Sequence, residues 1–279
     1  MHPMLKTAVD AARAAGQIIN RAALNLDQIK ISQKGLQDLV TEIDIEVENL
    51  LRAHLLEAYP KHAFVGEETG FTGPEKATSR WIVDPIDGTT NFIHGLPHYC
   101  VCIALEQDGK LEHAVIYNPA TNDIFTASRG SGAFLNNRRI RVSSRVRLAE
   151  SLMGSAIPSR VLRQRPELLE LQTKLRFDSA GYRQSGSAAL DLAYVAAGYL
   201  DGFVGAGLKE WDLAAGTLLI KEAGGLITDL NGEGDFMNGD IVAATPKLLP
   251  ALLREINPAA NKKKKKTQGG LRRMSQQEK

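Results

Sequence analysis

The chain has 279 residues, enough for a substantial buried core and for one large domain or two closely joined halves. Its 43% hydrophobic and 24% charged residues suit a globular protein, and no stretch approaches the ~20 apolar residues of a membrane span. The two cysteines, Cys100 and Cys102, exclude a cysteine-rich metal site by number alone.

Lys6, Asp10 and Arg13 interrupt the N-terminal apolar residues, which argues against a secretory signal. Residues 4–24 read as an amphipathic helix, with Leu5, Ala8, Val9, Ala12, Ala15 and Ile19 on one stripe. A second helix is predicted from Glu42 to Ala58 on the spacing of Val47, Leu50, Leu51 and Leu55, opened by a Thr41–Asp44 capping box. His62–Gly66 reads as a strand ending at Glu67. Trp81–Val83 reads as a short buried strand stopped by Asp84-Pro85. Tyr99–Glu106 and Leu111–Tyr117 form a hairpin around an Asp-Gly turn. Cys100 and Cys102, two apart in that strand, share one face and are expected to be buried thiols in a reducing cytoplasm. Further strands are expected at Ile124–Ala127 and Ile140–Ser143, with Arg129–Gly132 as a hairpin turn. Ser187–Ala197 and Asp212–Ala223 read as helices, with strands at Phe203-Val204, Leu226–Asp229 and Ile241–Ala244, and a last helix at Pro246–Ile256.

Strands and helices that alternate irregularly, with an antiparallel hairpin among them, favour an α+β arrangement of layered sheets and helices. The organisation expected is an N-terminal half over 1–145 bearing metal-binding acids, a C-terminal half over 146–257 completing the active site, and a basic tail over 258–279. From Lys262 onward, eight lysines and arginines stand against one acid, so a tail of +7 is joined to a body of −5. Having almost no apolar residues, this tail is expected to be disordered. Its Lys262–Lys266 run could attract RNA phosphates or simply be solvated.

Three acidic groups stand at the ends of apolar elements: Glu67-Glu68, Asp84-Pro85-Ile86-Asp87-Gly88-Thr89, and Asp212. Hard dications such as Mg²⁺ prefer oxygen donors, and two such ions sharing a bridging carboxylate need about four acids. The Pro85–Gly88 turn can return Asp87 to the side of Asp84 and aim the Ile86 carbonyl into the same space. Read singly, Asp212 is also a helix cap, Asp87-Gly88 a turn pair, Glu67 a solvated charge and Asp44 a capping-box member. Asp84 is harder to place innocently, because a buried unpaired charge is costly. The hydroxyl of Thr89 could orient a water and pass its proton to Asp44, or it could cap a short helix. Gly186-Ser187-Ala188 opens a helix with small residues that would let a phosphate approach backbone N–H groups.

Trp81-Ile-Val-Asp-Pro-Ile-Asp-Gly-Thr-Thr-Asn-Phe92 and Trp211-Asp-Leu-Ala-Ala-Gly216, followed by Glu222-Ala-Gly-Gly225, resemble the two signatures of the inositol monophosphatase family. Gly66-Glu67-Glu68 and Asp38–Asp44 resemble its other acidic segments, so the likeness spans roughly residues 4–255. The resemblance implies a layered αβαβα sandwich of the inositol monophosphatase and sugar phosphatase type, usually a homodimer, with Mg²⁺-dependent and lithium-sensitive hydrolysis of inositol 1-phosphate and related small phosphate monoesters. It implies one metal on Glu67, Asp84 and the Ile86 carbonyl, a second on Asp84, Asp87 and Asp212, and a weaker third near Glu67. Catalysis would fall to Thr89, Asp44 and Glu67, and substrate to Asp87, Gly88, Thr89, Gly186, Ser187, Ala188 and Asp212. Inositol-selective members carry a glutamate seven residues before the second-signature aspartate, where Gly205 stands here. Weak discrimination among small monoesters is therefore expected, and Gly205→Glu is expected to restore it. One branch of the family is associated with ribosomal RNA transcription and antitermination, so a transcription-complex role on the same fold is one alternative, and a related sugar or nucleotide phosphatase is the other.

Overall fold

The computed structural model of the protein describes residues 1–35 and 38–257; the Lys262–Lys266 run and the remaining basic tail lie outside the described residues. The chain opens with helix α1 (Pro3–Ala22), a hairpin of β1 (Ile31–Gly35) and β2 (Asp38–Thr41), and helix α2 (Glu42–Ala58). Strands β3 (Ala63–Gly66), β4 (Gly70–Thr72) and β5 (Ser79–Asp87) follow, then the short helix α3 (Thr89–Ile93). A meander comes next: β6 (Cys100–Gln107), β7 (Lys110–Asn118), β8 (Asp123–Ser128), β9 (Gly132–Leu135) and β10 (Arg138–Arg139). After it come β11 (Leu152–Ala156), α4 (Ser159–Gln164), α5 (Glu167–Asp178), β12 (Gly181–Arg183) and α6 (Ala188–Ala197). The last elements are β13 (Gly202–Gly205), α7 (Glu210–Glu222), β14 (Leu226–Thr228), β15 (Ile241–Ala244) and α8 (Leu249–Ile256).

The strands form an eight-stranded sheet, ordered β10-β9-β8-β7-β6-β5-β3-β4, and a five-stranded sheet, ordered β12-β11-β13-β15-β14. Alternation along β6 shows how the layers are made, because successive side chains leave opposite faces of a strand. Val101, Ile103 and Leu105 pack with Leu5, Ala12 and Ile19 of α1 and Val47 and Leu51 of α2. Cys100, Cys102 and Ala104 pack the other way, with Leu192 of α6, Leu218 of α7 and Phe203 of β13. Beyond β13, Val204 and Val242 turn outward to meet Leu171 and Leu175 of α5 and Leu252 of α8. The order of layers is thus α1/α2, large sheet, α6/α7, small sheet, α4/α5/α8: the αβαβα sandwich. Three apolar clusters hold it together, one at each outer interface and one running from the large sheet through α6 and α7 to the small sheet, and α6 and α7 are apolar nearly all round because a sheet lies on each side of them.

Helix α2 begins as its capping box requires: Thr41 Oγ1 accepts from the N–H groups of Ile43 and Asp44, while Asp44 Oδ2 accepts from Thr41 N at 2.8 Å. Cys100 and Cys102 are both buried on one face of β6, as their spacing predicts. Two expected strands differ. Asp84-Pro85 does not end β5, which runs through to Asp87. Pro85 and Ile86 bulge out of the ladder opposite the single residue Val101, so the missing proline N–H leaves no pairing broken. Ile140–Ser143 is not a strand; Ile140 N donates to Ala133 O and Val142 N to Ala223 O, so this stretch links the meander to the end of α7 as extended chain.

Candidate functional site

The β5 bulge is the local device that assembles the site. In a regular strand Asp84 and Asp87, three apart, would point to opposite faces. With one extra residue between them, Asp84 pairs Cys102 and Asp87 pairs Cys100, so both acids leave the sheet on the α6/α7 side. There they meet Asp212 in the first turn of α7, and one carboxylate oxygen from each of the three acids lies within 4.8 Å of the others. Asp212 does not itself cap α7: the helix starts at Glu210, and Asp212 Oδ2 accepts from Lys209 N at 2.8 Å.

These acids line a cleft of about 190 Å³ together with Glu67, Ile86, Gly88, Thr89 and Gly186. The sequence-predicted residues Ser187 and Ala188 stand at its edge, as N-cap and first residue of α6. Asp87 Oδ2 accepts from Ser187 Oγ at 2.6 Å and from Ala189 N at 2.7 Å, which fixes the start of α6 against β5. Gly88, at φ +102°, makes the turn into α3; an added Cβ there would lie 3.0 Å from the His98 carbonyl oxygen.

Thr89 does not cap α3 with its side chain. Its hydroxyl lies 3.1 Å from Asp44 Oδ1 and 3.1 Å from the Ile86 carbonyl oxygen. Asp44 is fully buried; its other oxygen accepts from the amide and the hydroxyl of Thr41. Burial raises the Asp44 pKa, and the hydrogen bonds from Thr41 and Thr89 oppose that rise. Asp44 therefore serves the capping box and the cleft together.

Two positions outside the sequence-predicted set organise the cleft. Glu48, fully buried on α2, accepts from Glu68 N and Thr69 N at 2.8 Å each. It thereby holds the turn that carries Glu67, whose own amide donates to Val83 O. Gly66 leaves room for that carboxylate, since an added Cβ would come within 2.4 Å of Glu48 Cδ. The signal was present: Asp44, Glu48, Leu51 and Leu55 occupy one stripe of α2, and an acid on an apolar stripe needs a partner. Asn91 bridges the His98 and Ser185 carbonyls at 2.7 and 2.8 Å and so ties α3 to the loop before α6.

Gly205 is not at the cleft. It is buried at the end of β13, where an added Cβ would meet Leu208, Ile241 and Phe203 at 2.6–2.9 Å. The expectation that Gly205→Glu would restore a substrate contact is overturned, because a glutamate there overpacks the core before it reaches any ligand.

The electrostatics of the cluster point to cations. Burial raises the Asp84 pKa well above the usual carboxylate value, and repulsion from Glu67, Asp87 and Asp212 adds to it. Burial likewise raises Asp87, and with the charge of Asp87 it pushes Asp212 up to about 8. Asp84 Oδ1 is buried with no hydrogen-bond partner. Buried carboxylates that crowd together and leave an oxygen orphaned form an all-oxygen donor set, which fits hard divalent ions.

No helix among the described residues is long and apolar enough to cross a membrane. A sequence model described as the inositol monophosphatase family matches residues 1–262. The chain is 48% identical over 263 residues to Nus factor SuhB of Pseudomonas aeruginosa, covering 92% of this chain and 97% of that protein. Its fold is similar to the crystal structure of extragenic suppressor protein SuhB from Bartonella henselae, with a TM-score of 0.89, 40% identity, and 92% and 100% of the two chains covered. It is also similar to the Thermotoga maritima IMPase, with a TM-score of 0.82, 31% identity, and 92% and 98% covered. With both signatures folded around one acidic cleft and the match running almost the length of the chain, this protein belongs to the inositol monophosphatase family.

Proposed function

We propose that the protein hydrolyses inositol 1-phosphate and related small phosphate monoesters to the alcohol and inorganic phosphate, in a magnesium-dependent reaction. The convergence of Asp84, Asp87 and Asp212 within 4.8 Å, around a buried carboxylate oxygen with no partner, carries this reading. Glu67, Asp84 and the Ile86 carbonyl would hold one cation, Asp84, Asp87 and Asp212 a second, and the surroundings of Glu67 a weaker third. Bound magnesium supplies charge screening for the phosphate, a lowered pKa for the attacking water and stabilisation of the leaving alkoxide. Thr89 Oγ1 takes the water's proton while giving its own to Asp44 Oδ1, 3.1 Å away. Burial prepares Asp44 for that task by favouring its protonated form. Backbone around Gly88 and Thr89, with Asp87, Gly186, Ser187 and Ala188, receives the substrate. We place this activity in the cytoplasm, in a homodimer whose two halves, 1–145 and 146–257, share the cleft.

The deciding experiment is a phosphate-release screen over inositol 1-phosphate, glycerol 2-phosphate, fructose bisphosphate and adenosine monophosphates, with Mg²⁺ and with chelator. Mg²⁺-dependent release from inositol 1-phosphate is expected. No Mg²⁺-dependent release from any of these esters would refute the reading.

A second reading is favoured by the name Nus factor borne by a relative at 48% identity. In it the same fold serves as a scaffold in a transcription complex, with RNA or polymerase contacted through the Lys262–Lys266 tail. Deleting residues 258–279 should leave hydrolysis intact and weaken RNA or polymerase association. Association unchanged by the deletion would remove the tail from this role.

A further inference from the structure

Beneath the acidic cleft lies a second donor set, made of Asp87 and two thiols that the proposed hydrolysis does not use. The bulge that aligns Asp84 and Asp87 also sets Cys102 and Cys100 beside them as their cross-strand partners in β6. The two sulfur atoms are 3.6 Å apart, and Cys100 Sγ is 3.6 Å from Ser187 Oγ. One carboxylate oxygen of Asp87 and both sulfurs lie within 4.8 Å of one another. Both thiols are fully buried, yet Asp87 faces the cleft, so an ion entering the cleft reaches this set through Asp87.

We propose that Cys100, Cys102 and Asp87 form a site for a soft, thiophilic dication such as Zn²⁺ or Cd²⁺, and that its occupation inhibits the enzyme. Two thiolates on a tetrahedral zinc, each bonded at ~2.3 Å, stand about 3.8 Å apart, so the sulfurs need little movement to bind one ion. Thiolates select soft ions and reject Mg²⁺, whereas the carboxylate cluster above selects hard ones. Binding forms two metal–sulfur bonds and releases the two thiol protons to solvent, leaving two thiolates and one carboxylate around the dication. Asp87 belongs to both sets. Drawn toward sulfur, it is lost to the oxygen cluster, and its hold on Ser187 and Ala189 at the start of α6 is loosened. Inhibition rests on the proposed phosphatase reading, whereas thiolate coordination is read without substrate.

The test is a titration of the reduced, metal-free full chain with CdCl₂, followed by ultraviolet sulfur-to-cadmium charge-transfer absorption in the presence of excess Mg²⁺. The band should rise to saturation at one equivalent and be absent from Cys100→Ala and from Cys102→Ala. Phosphate release should fall with one equivalent of Zn²⁺, recover with a zinc chelator but not with added Mg²⁺, and become at least ~10-fold less sensitive in Cys102→Ala. Circular dichroism checks both variants, and if either fails to fold the wild-type titration decides alone. A wild-type protein without the band, or zinc inhibition undiminished in folded Cys102→Ala, overturns the site.

Discussion

Asp84 and Thr89 both line the cleft but have different roles in the proposed reaction, and their substitutions separate these. Asp84 is buried, repelled by Glu67, Asp87 and Asp212, and has an oxygen with no partner, so its charge destabilises the metal-free fold. Asp84→Asn keeps the shape and removes the charge. The metal-free variant should melt about 2–4 °C above wild type, for a gain near 1 kcal/mol in a large domain, and should gain no thermal stability from Mg²⁺. A variant less stable than wild type without metal, or still stabilised by Mg²⁺, would contradict the electrostatic reading of the site. Thr89 instead stands between the Ile86 carbonyl and Asp44. Thr89→Ala should lower kcat by ~10²–10⁴-fold with little change in KM, because a proton relay acts chiefly in the transition state. Steady-state kinetics check this, and an unchanged kcat would leave Thr89 with a purely structural role. Residues such as these were legible because each ends an apolar run or follows a turn signal. Asn91 was not, since an amide beside a signature motif reveals its partners only once α3 and α6 are packed, and for Glu48 the stripe of α2 signalled the need for a partner but not which one.

At the scale of the element, the support under Glu67 is α2. Glu48 reaches from that helix to two amides of the turn after β3, and Gly66 makes room for it. Glu48→Ala leaves those amides without acceptors and should cost about 2–4 kcal/mol in urea denaturation. Because the Glu67 turn would then be loose, the Mg²⁺ concentration for half-maximal activity should rise ~10–100-fold. An unchanged Mg²⁺ requirement in a folded Glu48→Ala protein would separate this turn from the proposed metal site. Elements with clean periodicity, α1, α2, the β6–β7 hairpin, α6 and α7, were readable because each presents a whole stripe or face to a neighbouring layer. Others lacked that pattern. In α5 the buried stripe Leu168, Leu171 and Leu175 is blurred by Leu169 and Phe177, which are 55% and 81% exposed. β12 has three residues and β10 two, too few to show a period. The β5 bulge was only half legible: the sequence suggested that Asp87 returns beside Asp84, but Pro85 read as a stop because its place outside the ladder is set by β6.

Across the whole molecule, two sheets and the helices between them bring together a set of acids that repel one another, which couples stability to pH and, on the proposed reading, to metal. Asp84, Asp87 and Asp212 all have pKa values raised by folding, Asp212 to about 8, so the native state binds more protons than the unfolded chain above the ordinary carboxylate range. Their contribution to stability is full below the unfolded value of ~4 and is lost as pH rises through the native values. The metal-free protein should therefore melt at lower temperature at pH 8 than at pH 5.5, and saturating Mg²⁺ should reverse the trend by favouring the deprotonated acids. Calorimetric melts with and without Mg²⁺ check this; a metal-free melting temperature that rises over that interval would contradict it. The most direct measurement is phosphate release from inositol 1-phosphate across a Mg²⁺ titration, in wild type and in Asp84→Asn proteins shown to be folded. Release that saturates with Mg²⁺, vanishes with chelator and is absent from Asp84→Asn is the expected result. Release that persists in chelator, or near-wild-type turnover by Asp84→Asn at saturating Mg²⁺, would show that the acidic cleft does not perform the reaction.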